Sequence, residues 1–324
     1  MGKMRNGIAV CGSLIVDKIN EIAAYPSIGE LTKILRSSRA VGGCVCNVGV
    51  DLKKICPELP VSAVGMIGKD ANGEYIKEVL SQNGLDIKHL TVTESDETSY
   101  TDVMSVRGGQ RTFFTYAGAD GAFTADDFNT DDINAKILHL GYFLLLSKID
   151  EGEGIKILKK ASEAGIETSI DLVSENSDRY SLVIPCLEYT DYLIINELEA
   201  GKLAGIEAVP ENFGRIAEKL KSMGVRKKVI IHYKEGAVCC SDSGITASGS
   251  VDIPRAEIKG TTGCGDAFCA GALYGIYKGL TDSEILDFAA SSAAMALRSA
   301  DATSGLCTEK QIIEYCKDIP RMKI

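Results

Sequence analysis

The stretch Lys259-Gly260-Thr261-Thr262-Gly263-Cys264-Gly265-Asp266-Ala267-Phe268-Cys269-Ala270-Gly271 begins as a turn and ends as a helix. Gly260, Gly263 and Gly265 allow backbone shapes that a β-carbon blocks. After Asp266 the residues are small and apolar, as in a helix packed closely into a core. The free N–H groups at the start of such a helix point outward and favour an anion. An acid in the same turn would repel a bound phosphate. It suits a separate task, taking a proton from the group that attacks the phosphate. The same residues also fit a plain glycine turn with Asp266 as a helix-start residue, and short glycine motifs arise often by chance.

On both sides of this stretch the chain alternates between strand-like and helix-like segments. Strands are expected at 137–140, 167–172, 192–195, 228–232 and 237–240. Helices are expected at 154–164, 197–204, 212–223, 267–278, 283–300 and 309–315. Such alternation implies a mostly parallel sheet with helices on both faces. Further upstream, the run from Gly7 begins as a buried strand, with Asp17 expected just past its end, where ligand clefts of open α/β sheets form. A surface turn acid is the other reading of Asp17. Gly42-Gly43-Cys44-Val45-Cys46-Asn47 is a second glycine turn entering a helix of small residues, suited either to a ligand touching the backbone or to close helix packing. A strand at 61–68 and a helix at 72–83 follow. Residues 100–106 and 111–116, joined by a turn at 107–110, read as a β-hairpin. With a strand near 31–40 they suggest a small sheet over a cleft. Asn196 and Glu199 share a face at the start of a helix, able to hold hydrated Mg²⁺ or simply to cap the helix.

Composition narrows the function classes. The 324 residues are 45% hydrophobic and 25% charged, as in an ordinary soluble protein. The formal net charge of −10 argues against broad nucleic-acid binding. No apolar run approaches the ~20 residues that span a bilayer, and no signal peptide precedes the first strand, so no membrane association is expected. The 11 cysteines include no CxxC pair and read as small core residues in a reducing, cytoplasmic setting. His89, His139 and His232 are scattered, without the spacing of a metal or nucleophilic group.

Together these pieces resemble the ribokinase-like carbohydrate kinase family (the PfkB family), over nearly the whole chain. Gly42, Gly43 and Asn47 match its Gly-Gly-x-x-x-Asn. Asn196 and Glu199 match its Asn-x-x-Glu. Gly260 to Asp266 match its Asp-Thr-x-Gly-Ala-Gly-Asp, and Val64 to Gly73 its Val-Gly-x-x-Gly-x-Asp-x-x-Gly. The resemblance implies a ribokinase-like α/β three-layer sandwich over residues 1–324: a mostly parallel central sheet flanked by helices, with a small β lid over roughly 12–38 and 98–116. It implies transfer of the γ-phosphoryl group of ATP to a substrate hydroxyl, helped by Mg²⁺. Asp266 would be the base, and the N–H groups of Gly263, Cys264, Gly265 and Asp266 the anion hole. Asp17, Gly42, Gly43 and Asn47 would contact a small-molecule sugar. Asn196 would serve the nucleotide phosphates and Glu199 the Mg²⁺ through water. Ile231 to Gly236 would form a nucleotide loop, and Ala289 to Ala293 would lie beside the adenine. A homodimer through the lid is also implied.

Some positions depart from the family. Gly260 stands where some members carry an Asp that helps hold a monovalent cation, so that cation is compatible with the family but lacks its usual ligand here. Cys264 replaces Ala and suggests sensitivity to oxidation. Residues 231–236 lack the common Thr-Leu-Gly opening, and 42–47 differ from true ribokinases. The leading expectation is an ATP-dependent sugar kinase. A nucleoside kinase is the alternative, with Tyr100, Phe113, Phe114 and Tyr116 stacking on a base. A catalytically inactive sugar-binding relative is a third. Arg107 and Arg111, beside the lid turn, would meet a negative substrate or be solvated hairpin-end charges.

Overall fold

Ile8–Gly12 (β1) is a run of five buried residues, and it lies inside the larger of two sheets. The computed structural model describes residues 5–106 and 111–324, so the expected turn at 107–110, with Arg107, lies outside the described residues. In chain order the main elements are β1, β2 (Ile15–Ile22), β3 (Ile34–Gly42), α1 (Cys44–Ile55), β4 (Val61–Gly68), α2 (Ala71–Gln82), β5 (Asp86–Thr93), β6 (Tyr100–Val106), β7 (Arg111–Tyr116), β8 (Ile137–Phe143), α3 (Gly154–Glu163), β9 (Glu167–Leu172), β10 (Tyr192–Asn196), α4 (Glu197–Ala204), α5 (Phe213–Ser222), β11 (Lys228–His232), β12 (Gly236–Ser241), β13 (Gly244–Gly249), α6 (Cys264–Lys278), α7 (Asp282–Leu297) and α8 (Glu309–Cys316).

The large sheet has nine strands in the order β13-β12-β11-β10-β9-β8-β1-β4-β5. Neighbours from β11 to β5 are parallel, and β12 and β13 join antiparallel at one edge. Alternation along its strands feeds two cores. Ile8, Val10, Ile194 and Ile230 point to the side covered by α1, α6 and α7, whereas Ala9, Cys11, Ile195 and Ile231 point to the side covered by α3, α4 and α5. Burial of this kind stabilises by roughly 1.5–3 kcal/mol per large side chain. The sandwich matches the expected fold class.

The second sheet, β3-β2-β6-β7, is the small one. Its β3 continues to Gly42, beyond the expected span of 12–38, because Gly42 pairs with Ile15 at the start of β2. The expectation for Asp17 needs correction. The apolar run does not continue to it as one strand. The chain breaks at Gly12 (φ 137°) and resumes as β2, so Asp17 lies inside a strand of the small sheet, opposite Ala40 and Thr101. Two edge strands, β5 and β13, were not expected from the sequence. Their side chains are half-exposed and mixed in polarity, which hides them from a search for apolar runs.

Candidate active site

The carboxyl ends of the parallel strands are where open α/β sheets form ligand crevices. Here Tyr142 (β8), Asp171 (β9), Asn196 (β10) and His232 (β11) stand at that edge and line a cavity of about 310 Å³. The start of α6 closes it with Gly263, Gly265 and Asp266. A larger cleft of about 430 Å³, beside Tyr180, Lys202 and Met223, carries neither this turn nor a buried acid.

Helix α6 begins at Cys264, three residues before the expected 267, so Asp266 sits in its first turn. The N-cap Gly263 has φ 79°, and a β-carbon there would lie 2.4 Å from the Ala302 carbonyl oxygen. Only glycine fits that position. The N–H groups of Gly265 and Asp266 have no backbone acceptor among the described residues, whereas Cys264 N–H donates to Thr261 O at 3.3 Å. The turn thus offers free donors to an anion. Burial pushes the Cys264 thiol up to about 11, with Asp266 next in effect. That shift favours the neutral thiol and so works against the expected sensitivity to oxidation.

Asp266 is buried and held from two sides. Asn47 Nδ2 donates to its Oδ2 at 3.0 Å, and the Tyr142 hydroxyl meets Oδ1 and Oδ2 at 2.9 and 3.0 Å. Burial, and then the neighbouring Asp171, push its pKa up to about 7, against the opposing hydrogen bonds from Tyr142 and Asn47. A carboxyl poised there is matched to a base at neutral pH. Tyr142 adopts φ 61°, unusual for a non-glycine residue. Its N–H is fixed by the Asp171 Oδ1 acceptor, which aims the ring at Asp266.

The residues expected to contact the sugar, Asp17, Gly42, Gly43 and Asn47, lie close together. Asp17 has no hydrogen-bond partner among the described residues, and a β-carbon on Gly42 would come within 2.7 Å of its Oδ2. Burial raises the Asp17 pKa. Gly43 caps α1, its carbonyl accepting from Asn47 N–H at 3.0 Å. Asn47 Oδ1 is buried without a partner among the described residues, and a ligand hydroxyl would satisfy it.

On the opposite wall, Asn196 and Glu199 form a capping box. Asn196 Oδ1 accepts from the N–H groups of Leu198 and Glu199, and the Glu199 carboxyl accepts from Asn196 N–H, Asn196 Nδ2 and Ser174 Oγ. The capping role is therefore present. Burial pushes Glu199 up to about 7, so a cation nearby would favour its charged form. Hard oxygen donors on a polar cavity wall, already hydrogen-bonded, fit Mg²⁺ held through water. Ile231 is fully buried within β11, where it pairs with Ile195 on one side and Val238 on the other. Gly236 closes a tight turn with Tyr233, whose N–H donates to Gly236 O at 2.9 Å. Ala289 and Ala290 are buried, and Ala289 packs against α6 beside Gly271.

Tyr142, Asp171 and Ser174 were not picked out by sequence reasoning. The only local signal was their place at or just past strands ending at one edge of a parallel sheet.

Comparisons with known proteins agree with this fold. A family profile described as "pfkB family carbohydrate kinase" matches residues 6–309. A ribokinase of Arabidopsis thaliana is 26% identical over 318 residues, covering 96% of this chain and 81% of that protein. The structure of Arabidopsis thaliana ribokinase complexed with ribose and ATP superposes with a TM-score of 0.84 at 25% identity, covering 97% of this chain and 99% of that one. A nucleoside kinase of Methanocaldococcus jannaschii, an archaeal member of the ribokinase family, shares the fold with a TM-score of 0.78 at 20% identity, covering 98% and 99%.

Proposed function

The chain belongs to the pfkB family of carbohydrate kinases, and from that premise we propose that it transfers the γ-phosphoryl group of ATP to a hydroxyl of a sugar or sugar derivative, with Asp266 as the base. The observation that carries the assignment to Asp266 is its environment: a carboxyl with pKa about 7, held by Asn47 and Tyr142, in the first turn of a helix whose N–H groups face the same cavity. The similar ribokinase that binds ribose and ATP supports the two substrates.

In this reading Asp17 and Asn47 orient the sugar, and the unpartnered Asn47 Oδ1 accepts from one of its hydroxyls. Asp266 takes the proton of the attacking hydroxyl as the bond to phosphorus forms. The N–H groups of Gly263, Gly265 and Asp266 stabilise the charge that develops on the phosphoryl oxygens, with Cys264 N–H freed if it leaves Thr261. Asn196 and Glu199 would hold Mg²⁺ through water, and that ion would neutralise phosphate charge. The backbone from Ile231 to Gly236 would meet the nucleotide. A monovalent cation is left out, because Gly260 offers no side chain to it.

We further assign a homodimer through the small sheet and a cytoplasmic setting. Exposed Leu35, Phe113 and Phe114 on its two edge strands favour the first. The free cysteines favour the second, and among the described residues no helix is long and apolar enough to cross a membrane. Tyr100 and Tyr116 stack on each other at 5.4 Å, with Lys18 Nζ 3.6 Å above Tyr100, so those lid aromatics are engaged without a base. This favours sugars over nucleosides.

The test is ATP-dependent transfer with Mg²⁺ across pentoses, hexoses, sugar acids, sugar phosphates and nucleosides, with and without K⁺, beside Asp266→Asn. Turnover with one sugar, lost in the variant, supports the reading. Calorimetry on Asp266→Asn in which nucleosides bind and sugars do not would replace it with the nucleoside kinase. A folded protein without turnover on any of them would point to the inactive relative.

A further inference from the structure

Beneath the catalytic turn the fold gathers four side chains with metal-binding atoms from four elements: Cys44 (α1), His139 (β8), Asp171 (β9) and Cys269 (α6). We propose that they form a buried site for a soft divalent cation of the zinc class. The proposal does not depend on the kinase assignment, and no local spacing in the sequence announces it.

Geometry carries the argument. One ligand atom from each of Cys44, His139 and Asp171 lies within 4.8 Å of the other two. His139 Nε2 is 3.4 Å from Asp171 Oδ2 and 3.5 Å from Cys269 Sγ. Zinc bonds of about 2.0–2.3 Å at tetrahedral angles put neighbouring ligand atoms about 3.5 Å apart. Two edges of the tetrahedron are thus already at their proper length. Cys44 lies within 4.8 Å of His139 and Asp171, and Cys269 stands beside His139 outside that group, so binding draws the two thiols toward each other.

The surroundings match such a centre. His139 Nδ1 lies 3.0 Å from Ser169 Oγ. With the proton on Nδ1, that hydroxyl accepts it and Nε2 is left free, the arrangement typical of a ligating histidine. Asp171 keeps Oδ1 on Tyr142 N–H and turns Oδ2 to the cluster. Cys44 occupies the first position of α1, and burial, then Asp171 and Cys269, hold its thiol well above the ordinary range, so a bound cation has to draw off that proton. A β-carbon on Gly141 would lie 1.9 Å from Cys44 Sγ, so glycine is required for that thiol to sit there. Asp171 and Cys269 also line the cavity beside Asp266, which gives an ion its way in. Two sulfurs, an imidazole and one carboxylate select zinc-class ions over Mg²⁺. Each thiol passes its proton to solvent as it binds.

The experiment is titration of metal-stripped full-length protein with Co²⁺, followed by displacement with Zn²⁺. One equivalent should bind, with thiolate-to-cobalt charge-transfer absorption and the strong visible bands of a tetrahedral ion. Cys44→Ser and Cys269→Ser should each weaken binding at least tenfold and reduce the charge-transfer band. Ser169→Ala should weaken it about 10–100-fold, and Cys264→Ser should leave it unchanged. Circular dichroism checks that each variant folds. Absence of a charge-transfer band in the native protein would overturn the proposal and leave the cluster a buried hydrogen-bond network. So would an unchanged band in a folded Cys44→Ser/Cys269→Ser double variant.

Discussion

Asn47 Nδ2 and Asp266 Oδ2 meet at 3.0 Å across 219 positions of sequence. The bond joins the first turn of α1 to the first turn of α6, and so couples the glycine turn proposed to meet the sugar to the proposed base. It also sets a titration. The Asp266 pKa of about 7 reflects burial first and Asp171 second, opposed by the hydrogen bonds from Tyr142 and Asn47. The acid limb of kcat/KM should therefore fall near pH 7. Tyr142→Phe removes a donor to the carboxylate, so the folded pKa rises and the limb moves to higher pH. A pH–rate profile checks this, and an unmoved limb in a folded variant would refute the role of Tyr142.

The same shift bears on stability. The folded Asp266 binds its proton more tightly than an unfolded aspartate of pKa about 3.9. Its burial therefore costs little below pH 4, and stability is lost progressively as pH rises from about 4 through about 7. At about 1.36 kcal/mol per unit, the full effect is on the order of 4 kcal/mol. Asp266→Asn should raise Tm at pH 8 and lose that advantage near pH 4, in calorimetry without substrate. A gain independent of pH would refute the titration.

How much of this was legible in the chain depends on whether the signal was local. Strand β9, strand β11 and helix α4 fall at their expected bounds, because each is an apolar or helix-periodic run flanked by polar residues or glycine. The glycine turn at 263–266 and the Asn196/Glu199 pair were also visible, being short motifs. The start of α6 was hidden because Gly265 and Asp266 look like turn residues, although both are helical. Tyr142 and Asp171 left no trace, and His139 was visible only as a scattered histidine without metal-ligand spacing. They converge only because parallel strands β8 and β9 lie side by side with their ends at one edge.

Two glycines of the turn separate folding from chemistry. A β-carbon on Gly263 would strike Ala302 at 2.4 Å and force a residue with a side chain to keep φ 79°. On Gly265 its nearest neighbour would be His232 Cε1 at 3.8 Å, an ordinary contact. Gly263→Ala should lose stability by more than about 1 kcal/mol. Gly265→Ala should stay within about 0.5 kcal/mol of the native protein, yet lose roughly a hundredfold in turnover by crowding the phosphate. Denaturant melts beside kinetics test both, and full activity of Gly265→Ala would remove the turn from the proposed anion hole.

Asp51 is a cost built into α1. It is fully buried, and neither carboxyl oxygen has a hydrogen-bond partner among the described residues. Burial pushes its pKa well above the usual carboxylate range, Asp266 adds to this, and Lys54 opposes it. A raised folded pKa again means stability that is present at low pH and lost as pH rises. Asp51→Ala should stabilise by about 1–3 kcal/mol at pH 8, the scale of an unsatisfied buried polar group. The gain should shrink toward pH 4. Urea melts at the two pH values provide the check, and a loss of stability at pH 8 would show that the carboxylate is satisfied in solution.

The small sheet buries Val16, Ile22 and Val103 but leaves other hydrophobic side chains in water. Phe113 and Phe114 on β7 are 61% and 59% exposed, and Leu35 on β3 is 60% exposed. Strands β3 and β7 are the two edges of that sheet, with backbone groups open to pairing. Neighbouring residues of a strand point to opposite faces, so Phe113 and Phe114 cannot both be covered by folding one face of the sheet onto the large domain. A second copy of the sheet would cover such a surface without any further residue of this chain. Phe113→Glu and Phe114→Glu should then convert a dimer to a monomer in sedimentation measurements, with the Tm of the large domain little changed. KM for the sugar should rise with the loss of the dimer, because Asp17 sits on β2 inside the sheet that the partner would brace. A native protein that sediments as a monomer at micromolar concentration would refute the assembly and leave the kinase assignment untouched.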